Sequence, residues 1–281
     1  MRISAGASVL QVPPAARGTR FRRRLLEALP VPRRQRHALR ELAHRPWPIP
    51  TGPWILAQSW ERQLFAHWPV SPRLLEPVVP PQIPLDLFEG RAWISVTPFE
   101  VTGLRTRGLP PPPVFSRFPE INVRTYAVVG GRPGVYFFSL DAASSMAVAI
   151  ARRAYRLPYH RARMAVHEED GWIVYRSQRV SRDGPDARFE GRYRPVGQPR
   201  SAAPGSLGDW LAERYCLYTL DSEQRIMRGD IHHPPWPLQE AELEISSNTM
   251  GSQIGLELDG EPFLQYARRQ DVLFWPLRPA K

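Results

Sequence analysis

The sequence predicts an α+β fold built on a closed or strongly curved antiparallel sheet with a few packed helices. Strand-like segments dominate the chain, and runs rich in glycine and proline separate them. The regular alternation of strands and helices that is typical of parallel sheets is missing. With 281 residues, of which 42% are hydrophobic, the chain is long enough to bury a large core without disulfide support.

Eight segments carry the alternating or continuous apolar patterns of strands. They are residues 92–101, 120–129, 134–140, 161–167, 171–179, 188–195, 225–232 and 271–277. The segment 134–140 is apolar on both faces, which predicts a strand buried within the sheet. In the segment 188–195, Phe189 and Tyr193 share one face and charged residues occupy the other, which predicts a half-exposed antiparallel strand.

Two helices are predicted in the body of the chain. Residues 144–155 begin at a capping serine, Ser144 or Ser145, and Pro158 follows their end. Because this segment is apolar nearly all round, we expect it to be buried against the sheet. Residues 206–215 form the second predicted helix, with Ser206 as its cap.

The net charge of +11 comes mostly from the first 45 residues, which contain eleven arginines and two acidic residues. We therefore divide the chain into an Arg-rich, partly disordered extension, residues 1–45, and one domain, residues 46–281. A short helix over residues 33–42 is compatible with the sequence. Nucleic-acid binding through the arm is the less favoured alternative, because the body of the chain is almost neutral.

Several protein classes are excluded or disfavoured. One cysteine, Cys216, rules out an internal disulfide and a cysteine-rich zinc site, and no metal site or cofactor is predicted. No phosphate-binding loop, dinucleotide fingerprint or nucleophile elbow occurs. No apolar run approaches the roughly 18 residues of a membrane span. We expect a cytoplasmic protein without membrane contact, and leave a homo-oligomer open.

The segment 120–129 offers the first candidate site. Alternation places Glu120, Asn122 and Arg124 on one face of the strand, with same-face neighbours about 6.6 Å apart. A carboxyl group, an amide and a guanidinium at that spacing can converge on a small polar ligand. The alternative is an ordinary solvent-facing strand.

Two other segments contain candidate pocket residues. Arg152 lies near the end of the first helix, and Tyr159 and His160 follow it, offering a hydrogen-bond donor and a titratable base. Taken alone, these residues are better explained by an arginine that caps the helix carbonyls and a packed tyrosine. His232 shares a strand face with Asp230 and is a further candidate for a base or donor.

The segments 86–101, 118–129, 133–142, 151–164, 205–219 and 231–242 resemble, in order, those of the YqjF-like family of uncharacterised proteins. The resemblance covers about residues 54–277. This family is grouped with the acetoacetate decarboxylase-like superfamily, so the resemblance implies a β-rich antiparallel barrel or cone around a small pocket. It brings no established activity.

The resemblance also implies a change of chemistry. Acetoacetate decarboxylases are similar around residues 151–162, where Arg152 and Pro158 match an arginine and a proline. Tyr159 and His160 then stand where the decarboxylases have two lysines, one forming a Schiff base and one lowering its pKa. Glu120 corresponds, more weakly, to an active-site glutamate. The lone lysine here is Lys281, at the end of the sequence.

Together these observations predict a pocket for a small carbonyl or carboxylate compound that works without a Schiff base, so this is not an acetoacetate decarboxylase. The candidate pocket residues are Glu120, Asn122, Arg124, Arg152, Tyr159, His160 and His232. Whether the protein is an enzyme stays open. The alternative is a non-catalytic binding or scaffold protein on the same fold.

Overall fold

The computed structural model describes residues 30–113, 116–181 and 184–280. In this part of the chain the strands are β1 Leu56–Val70, β2 Ala92–Thr106, β3 Phe118–Val129, β4 Arg132–Ala142, β5 Tyr159–Glu169, β6 Trp172–Arg179, β7 Arg188–Arg200, β8 Cys216–Leu220, β9 Ile226–His232, β10 Leu238–Asn248 and β11 Phe263–Pro279. The α-helices are α1 Val31–His37, α2 Pro72–Leu75, α3 Ser145–Tyr155 and α4 Leu207–Ala212. None of these helices is long and apolar enough to cross a membrane.

All eleven described strands belong to one sheet that closes on itself. Strand β1 pairs with both β2 and β11, and β4 pairs with both β5 and β8. The pairings form two rings that share β1, β2, β3, β4 and β11. The smaller ring is completed by β8 and β9, and the larger by β5, β6, β7 and β10. All pairings are antiparallel except those of β4 with β5 and β8, so the predicted α+β class with a closed, mainly antiparallel sheet is confirmed.

The shared strands are buried on both faces because each face lines a different ring. In β2, every residue from Ala92 to Val101 is buried. Val96 of β2 and Val123 of β3 pack in the core of the larger ring. Phe99 and Tyr126, on the opposite faces of the same two strands, pack in the smaller ring. The smaller ring therefore has an interior of its own, lined by one face of β3.

Strand β7 confirms the predicted alternation of residues 188–195. Phe189 and Tyr193 are fully buried. On the other face, Arg192 pairs across the sheet with Glu244 of β10 at 2.8 Å, and Arg194 pairs with the next acid along the same strand. Exposed pairs of this kind add little stability. The burial of the Phe189 and Tyr193 side chains therefore fixes the register of the strand.

Helix α3 has the predicted ends but not the predicted burial. Ser144 caps it by accepting a hydrogen bond from the Ala147 amide at 3.2 Å. The expectation of a buried helix is wrong, since Met146 and Ile150 are 40% and 54% exposed. The helix contacts β4, β5 and β11, and two of its eleven residues are buried, so it packs against the sheet by one side.

The described part of the N-terminal segment packs against the body of the protein. Arg34 and Gln35 of α1 are buried. The Arg34 side chain donates to Asp271 of β11 at 3.0 Å and to Ser59 of β1 at 3.2 Å. Residues 1–29 of the predicted extension lie outside the described residues. From residue 30 onward, at least one arginine of the basic arm anchors α1 to the seam between β1 and β11.

We expect Arg34→Ala to lower the free energy of unfolding by about 3 kcal/mol, because it leaves the Asp271 carboxylate unpaired in a largely buried position. The Asp271 side chain is 13% exposed. Urea unfolding measures the loss. The matched control is Arg33→Ala, which changes an exposed neighbour and should stay within about 0.5 kcal/mol of the wild type. Equal effects of the two substitutions would contradict this role of α1.

Candidate functional site

The predicted polar face of β3 points into the smaller ring. Glu120, Asn122 and Arg124 are 4%, 4% and 7% exposed. Their partners on β2 follow in unbroken register, with Thr97 opposite Asn122 and Ser95 opposite Arg124. Thr97 donates to the Asn122 side-chain carbonyl at 2.5 Å. This face of the strand is thus not exposed to solvent, and its polar side chains lie in the interior of the smaller ring.

Strands β1 and β11 add polar groups that sequence reasoning missed. His67 and Gln63 of β1 are 0% and 1% exposed, and Gln265 of β11 is 5% exposed. His67 pairs with Ser95, while Gln265 lies opposite Phe65 in the β1–β11 register. We call the following set the polar interior: Gln63, His67, Ser95, Thr97, Glu120, Asn122, Arg124, Tyr126, Tyr159 and Gln265.

Arg124 is a buried cation of the polar interior that lacks an ionic partner among the described residues. Among the described residues it has no carboxylate within ion-pair distance, and its Nε atom is buried without a hydrogen-bond partner. Its guanidinium carbon lies 5.4 Å from the ring centre of Phe65 and 5.9 Å from that of Tyr126. The side-chain carbonyls of Gln63 and Gln265 also lack described partners. A buried cation in this state is suited to an anionic ligand.

A small hydrogen-bond network lies beside Arg124. The Nδ1 atom of His67 is 2.6 Å from the Ser95 hydroxyl and 3.2 Å from the Tyr126 hydroxyl, which are 2.7 Å from each other. Burial and then the Arg124 charge hold the pKa of His67 well below its usual value. The side-chain oxygen of Gln265 opposes this lowering of the His67 pKa, although the two side chains do not form a hydrogen bond. His67 is therefore a neutral imidazole near pH 7.

Glu120 and Tyr159 form the second polar group of the interior. The Tyr159 hydroxyl donates to the two carboxyl oxygens of Glu120 at 3.1 and 3.2 Å. Burial raises the pKa of Glu120 to about 8; the Tyr159 hydrogen bond opposes this shift and the Asp141 charge adds to it. Glu120 is therefore mostly a neutral acid at pH 7, able to give or take a proton close to that pH.

Arg152 and His160 lie outside the polar interior, although they are neighbours of Tyr159 in the chain or in space. Arg152 is exposed and donates from Nε to the backbone carbonyl of Tyr159 at 2.5 Å. His160 follows Tyr159 on β5 and points to the opposite face of that strand. Both line a surface cleft of about 480 Å³ at the fork where β5 and β8 leave β4. A second cleft, of about 550 Å³, opens beside Glu61 and Arg269, and neither cleft contains Glu120 or Arg124.

His232 is placed away from the other candidates. Its Nε2 atom is 2.8 Å from the Ala38 carbonyl and its Nδ1 atom is 3.1 Å from Arg45. Asp230 binds Arg228 and Arg278 instead of this histidine. Burial lowers the pKa of His232 to about 4. Within the described ranges, no three His, Cys, Asp or Glu side chains are grouped as a metal site would require.

Comparison with known proteins places the chain beside proteins of this architecture. A family profile, DUF2071, described as an uncharacterized conserved protein, matches residues 57–271. The uncharacterized protein YqjF of Bacillus subtilis is 47% identical over 231 residues, covering 82% of this chain and 94% of that protein.

Two solved structures share the fold at low sequence identity. The enduracididine biosynthesis enzyme MppR complexed with pyruvate has a TM-score of 0.55 at 12% identity, covering 84% of this chain and 93% of that one. Acetoacetate decarboxylase from Legionella pneumophila has a TM-score of 0.55 at 12% identity, covering 85% and 94%. The predicted acetoacetate decarboxylase-like fold is confirmed.

Proposed function

Since this chain belongs to the DUF2071 family of uncharacterized conserved proteins, whose description names no activity, we propose from its own residues that the polar interior binds a small carbonyl or carboxylate compound. The observation that carries the proposal is Arg124, a 7% exposed cation without a described carboxylate partner. Burying an uncompensated charge costs several kcal/mol, and a bound anion offsets that cost.

Arg124 would hold the carboxylate of the ligand. A guanidinium presents two parallel N–H donors to a planar carboxylate, which gives a stronger contact than a single neutral hydrogen bond. The unpartnered carbonyls of Gln63 and Gln265 would accept hydrogen bonds from hydroxyl groups or water that accompany the ligand. Phe65 stacks edge-on to Trp236 at 5.0 Å and closes this side of the interior with apolar surface.

Glu120 and Tyr159 would recognise a carbonyl oxygen. With a pKa of about 8, the Glu120 carboxyl carries a proton at pH 7 that it can donate to such an oxygen. The Tyr159 hydroxyl stabilises the carboxylate left behind, because it already donates to both carboxyl oxygens. Polarisation by hydrogen bonding takes the place of an iminium, since the single lysine of the sequence is Lys281.

The names of two solved structures of the same fold mention small oxo compounds. One of them, MppR, is described in complex with pyruvate, and another is an acetoacetate decarboxylase. At 12% identity these neighbours share the fold alone, so the choice of ligand class rests on the pairing of a buried arginine with a neutral acid. Binding without turnover, the alternative function, would use the same contacts.

The proposal is tested by titrating pyruvate and acetoacetate into the protein with ligand-observed NMR. Arg124→Met should weaken binding of both at least about tenfold, because a charge-assisted contact is lost. Arg153→Met is the matched control, since Arg153 is an exposed arginine of α3, and it should bind like the wild type. Unchanged affinity of the Arg124 variant would refute the proposed site.

A further inference from the structure

The polar interior has two ends with different chemistry. We define the cationic end as Arg124, His67 and Ser95, and the acid end as Glu120 and Tyr159. Both ends include residues of one face of β3, and the β2–β3 register runs without a break from Glu120 to Arg124. The backbone between the two ends is therefore a regular strand.

The two ends are too far apart for a very short ligand. Arg124 lies four residues after Glu120 on the strand, which places their Cα atoms about 13 Å apart at roughly 3.3 Å per residue. The Arg124 guanidinium does not lean towards Glu120, because it lies over Phe65 and over Tyr126, the next same-face residue beyond it.

The charges at the two ends also act on different groups. The Arg124 cation lowers the pKa of His67, at its own end. The pKa of Glu120 responds to burial, to Tyr159 and to Asp141. The interior thus offers an anion site at Arg124 and a carbonyl site at the Glu120–Tyr159 pair.

We propose that the preferred ligand is an oxo acid in which two or more methylene groups separate the carboxylate from the carbonyl, a 4-oxo or 5-oxo carboxylate. Its carboxylate binds Arg124 and its carbonyl oxygen accepts a hydrogen bond at the Glu120–Tyr159 pair. This inference rests on the proposed function and adds the spacing of the two groups. A 2-oxo acid carries both groups on adjacent carbons and engages one end at a time.

Aromatic rings flank the two ends, and the hydrogen-bonded Thr97–Asn122 pair lies between them. Phe99 lies opposite Glu120 across the β2–β3 pair and is 2% exposed. Its ring centre is 5.7 Å from that of Trp60. Phe65, fully buried, lies against Arg124. Each methylene group buried against such rings adds about fourfold in affinity.

The inference is tested by calorimetric titration of the full chain with pyruvate, acetoacetate, 4-oxopentanoate and 5-oxohexanoate. Pentanoate, which has the same chain length as 4-oxopentanoate but no carbonyl, is the ligand control. We expect 4-oxopentanoate or 5-oxohexanoate to bind at least about tenfold more tightly than pyruvate, since they alone contact both ends. One of them should also bind more tightly than pentanoate.

Two variants assign the carbonyl contact. Tyr159→Phe and Glu120→Gln should each weaken binding of the favoured oxo acid several-fold while leaving pentanoate binding unchanged. A loss of pentanoate binding in the same variants would show a general packing defect and overturn the assignment.

The outcomes separate this inference from the proposed function. If pyruvate or pentanoate binds as tightly as the longer oxo acids, the spacing inference is overturned and the proposed site stands. If none of the five acids binds, the proposed function fails, and the inference fails with it.

Discussion

Replacing Arg124 with methionine is expected to stabilise the free protein. Methionine keeps an unbranched apolar stem against Phe65 and removes a buried cation that has no described carboxylate partner. We expect the free energy of unfolding to rise by about 2 kcal/mol, because replacing buried ionic groups by well-packed apolar ones commonly stabilises proteins. Thermal unfolding in buffer without carboxylates measures the change.

The matched control is Arg214→Met, and we expect the opposite sign. Arg214 is also a buried arginine, with a side chain that is 4% exposed, but it pairs with Asp86 at 2.5 Å. Its removal leaves that carboxylate alone and should cost about 3 kcal/mol. If both substitutions destabilise the protein equally, Arg124 is an ordinary structural arginine and the proposed anion site loses its basis.

Glu120→Gln is expected to change how stability depends on pH. In the native protein the pKa of Glu120 is raised from 4.5 to about 8, so the native state holds a proton that the unfolded state releases. Its contribution to stability is complete below about pH 4.5 and is lost as the pH rises to about 8. Across that window the free energy of unfolding should fall by about 1.4 kcal/mol per pH unit from this group alone.

Urea unfolding at several pH values between about 5 and 9 tests this expectation. The glutamine variant lacks the titrating proton, so its stability relative to the wild type should increase steadily with pH. Glu240→Gln is the control, since that side chain is 72% exposed, and its difference from the wild type should not depend on pH in this way. If the free energies of unfolding of Glu120→Gln and the wild type changed with pH in parallel, Glu120 would be ionised in the folded protein.

The sequence indicated one wall of the site and missed the others for a physical reason. Alternation along β3 was enough to group Glu120, Asn122 and Arg124, because all three lie on one strand. His67 and Gln265 lie on β1 and β11. These strands reach the site through pairings between segments that are far apart in the chain, and the local sequence pattern of neither segment predicts those pairings.

Strand β1 was not predicted because both its faces are buried. It borders both rings, so Gln63 and His67 point into the polar interior while Leu64 and Ala66 point into the apolar core of the larger ring. A strand with polar groups buried on one side loses the simple contrast between apolar and polar faces. The pattern of β3 alone could identify Arg124 as a candidate. It could not show that Arg124 lacks a partner, because the groups around it come from other strands.

The candidates near Tyr159 show the limit of reasoning by chain proximity. Tyr159 reaches Glu120, whereas Arg152 binds the backbone of Tyr159 from the outside and His160 faces the surface cleft. A one-residue step along a strand reverses the direction of the side chain, so Tyr159 and His160 belong to different surfaces. His232, placed on β9, contacts the N-terminal segment through Ala38 instead.

The central claim is that Arg124 holds an anion inside the smaller ring, and a high-resolution crystal structure of the protein grown with 4-oxopentanoate tests it most directly. We predict a carboxylate bound to the Arg124 guanidinium in the polar interior, with the carbonyl oxygen directed at Glu120 and Tyr159. A structure in which Arg124 instead pairs with a carboxylate of the protein, and the added acid is absent from the interior, would contradict the claim.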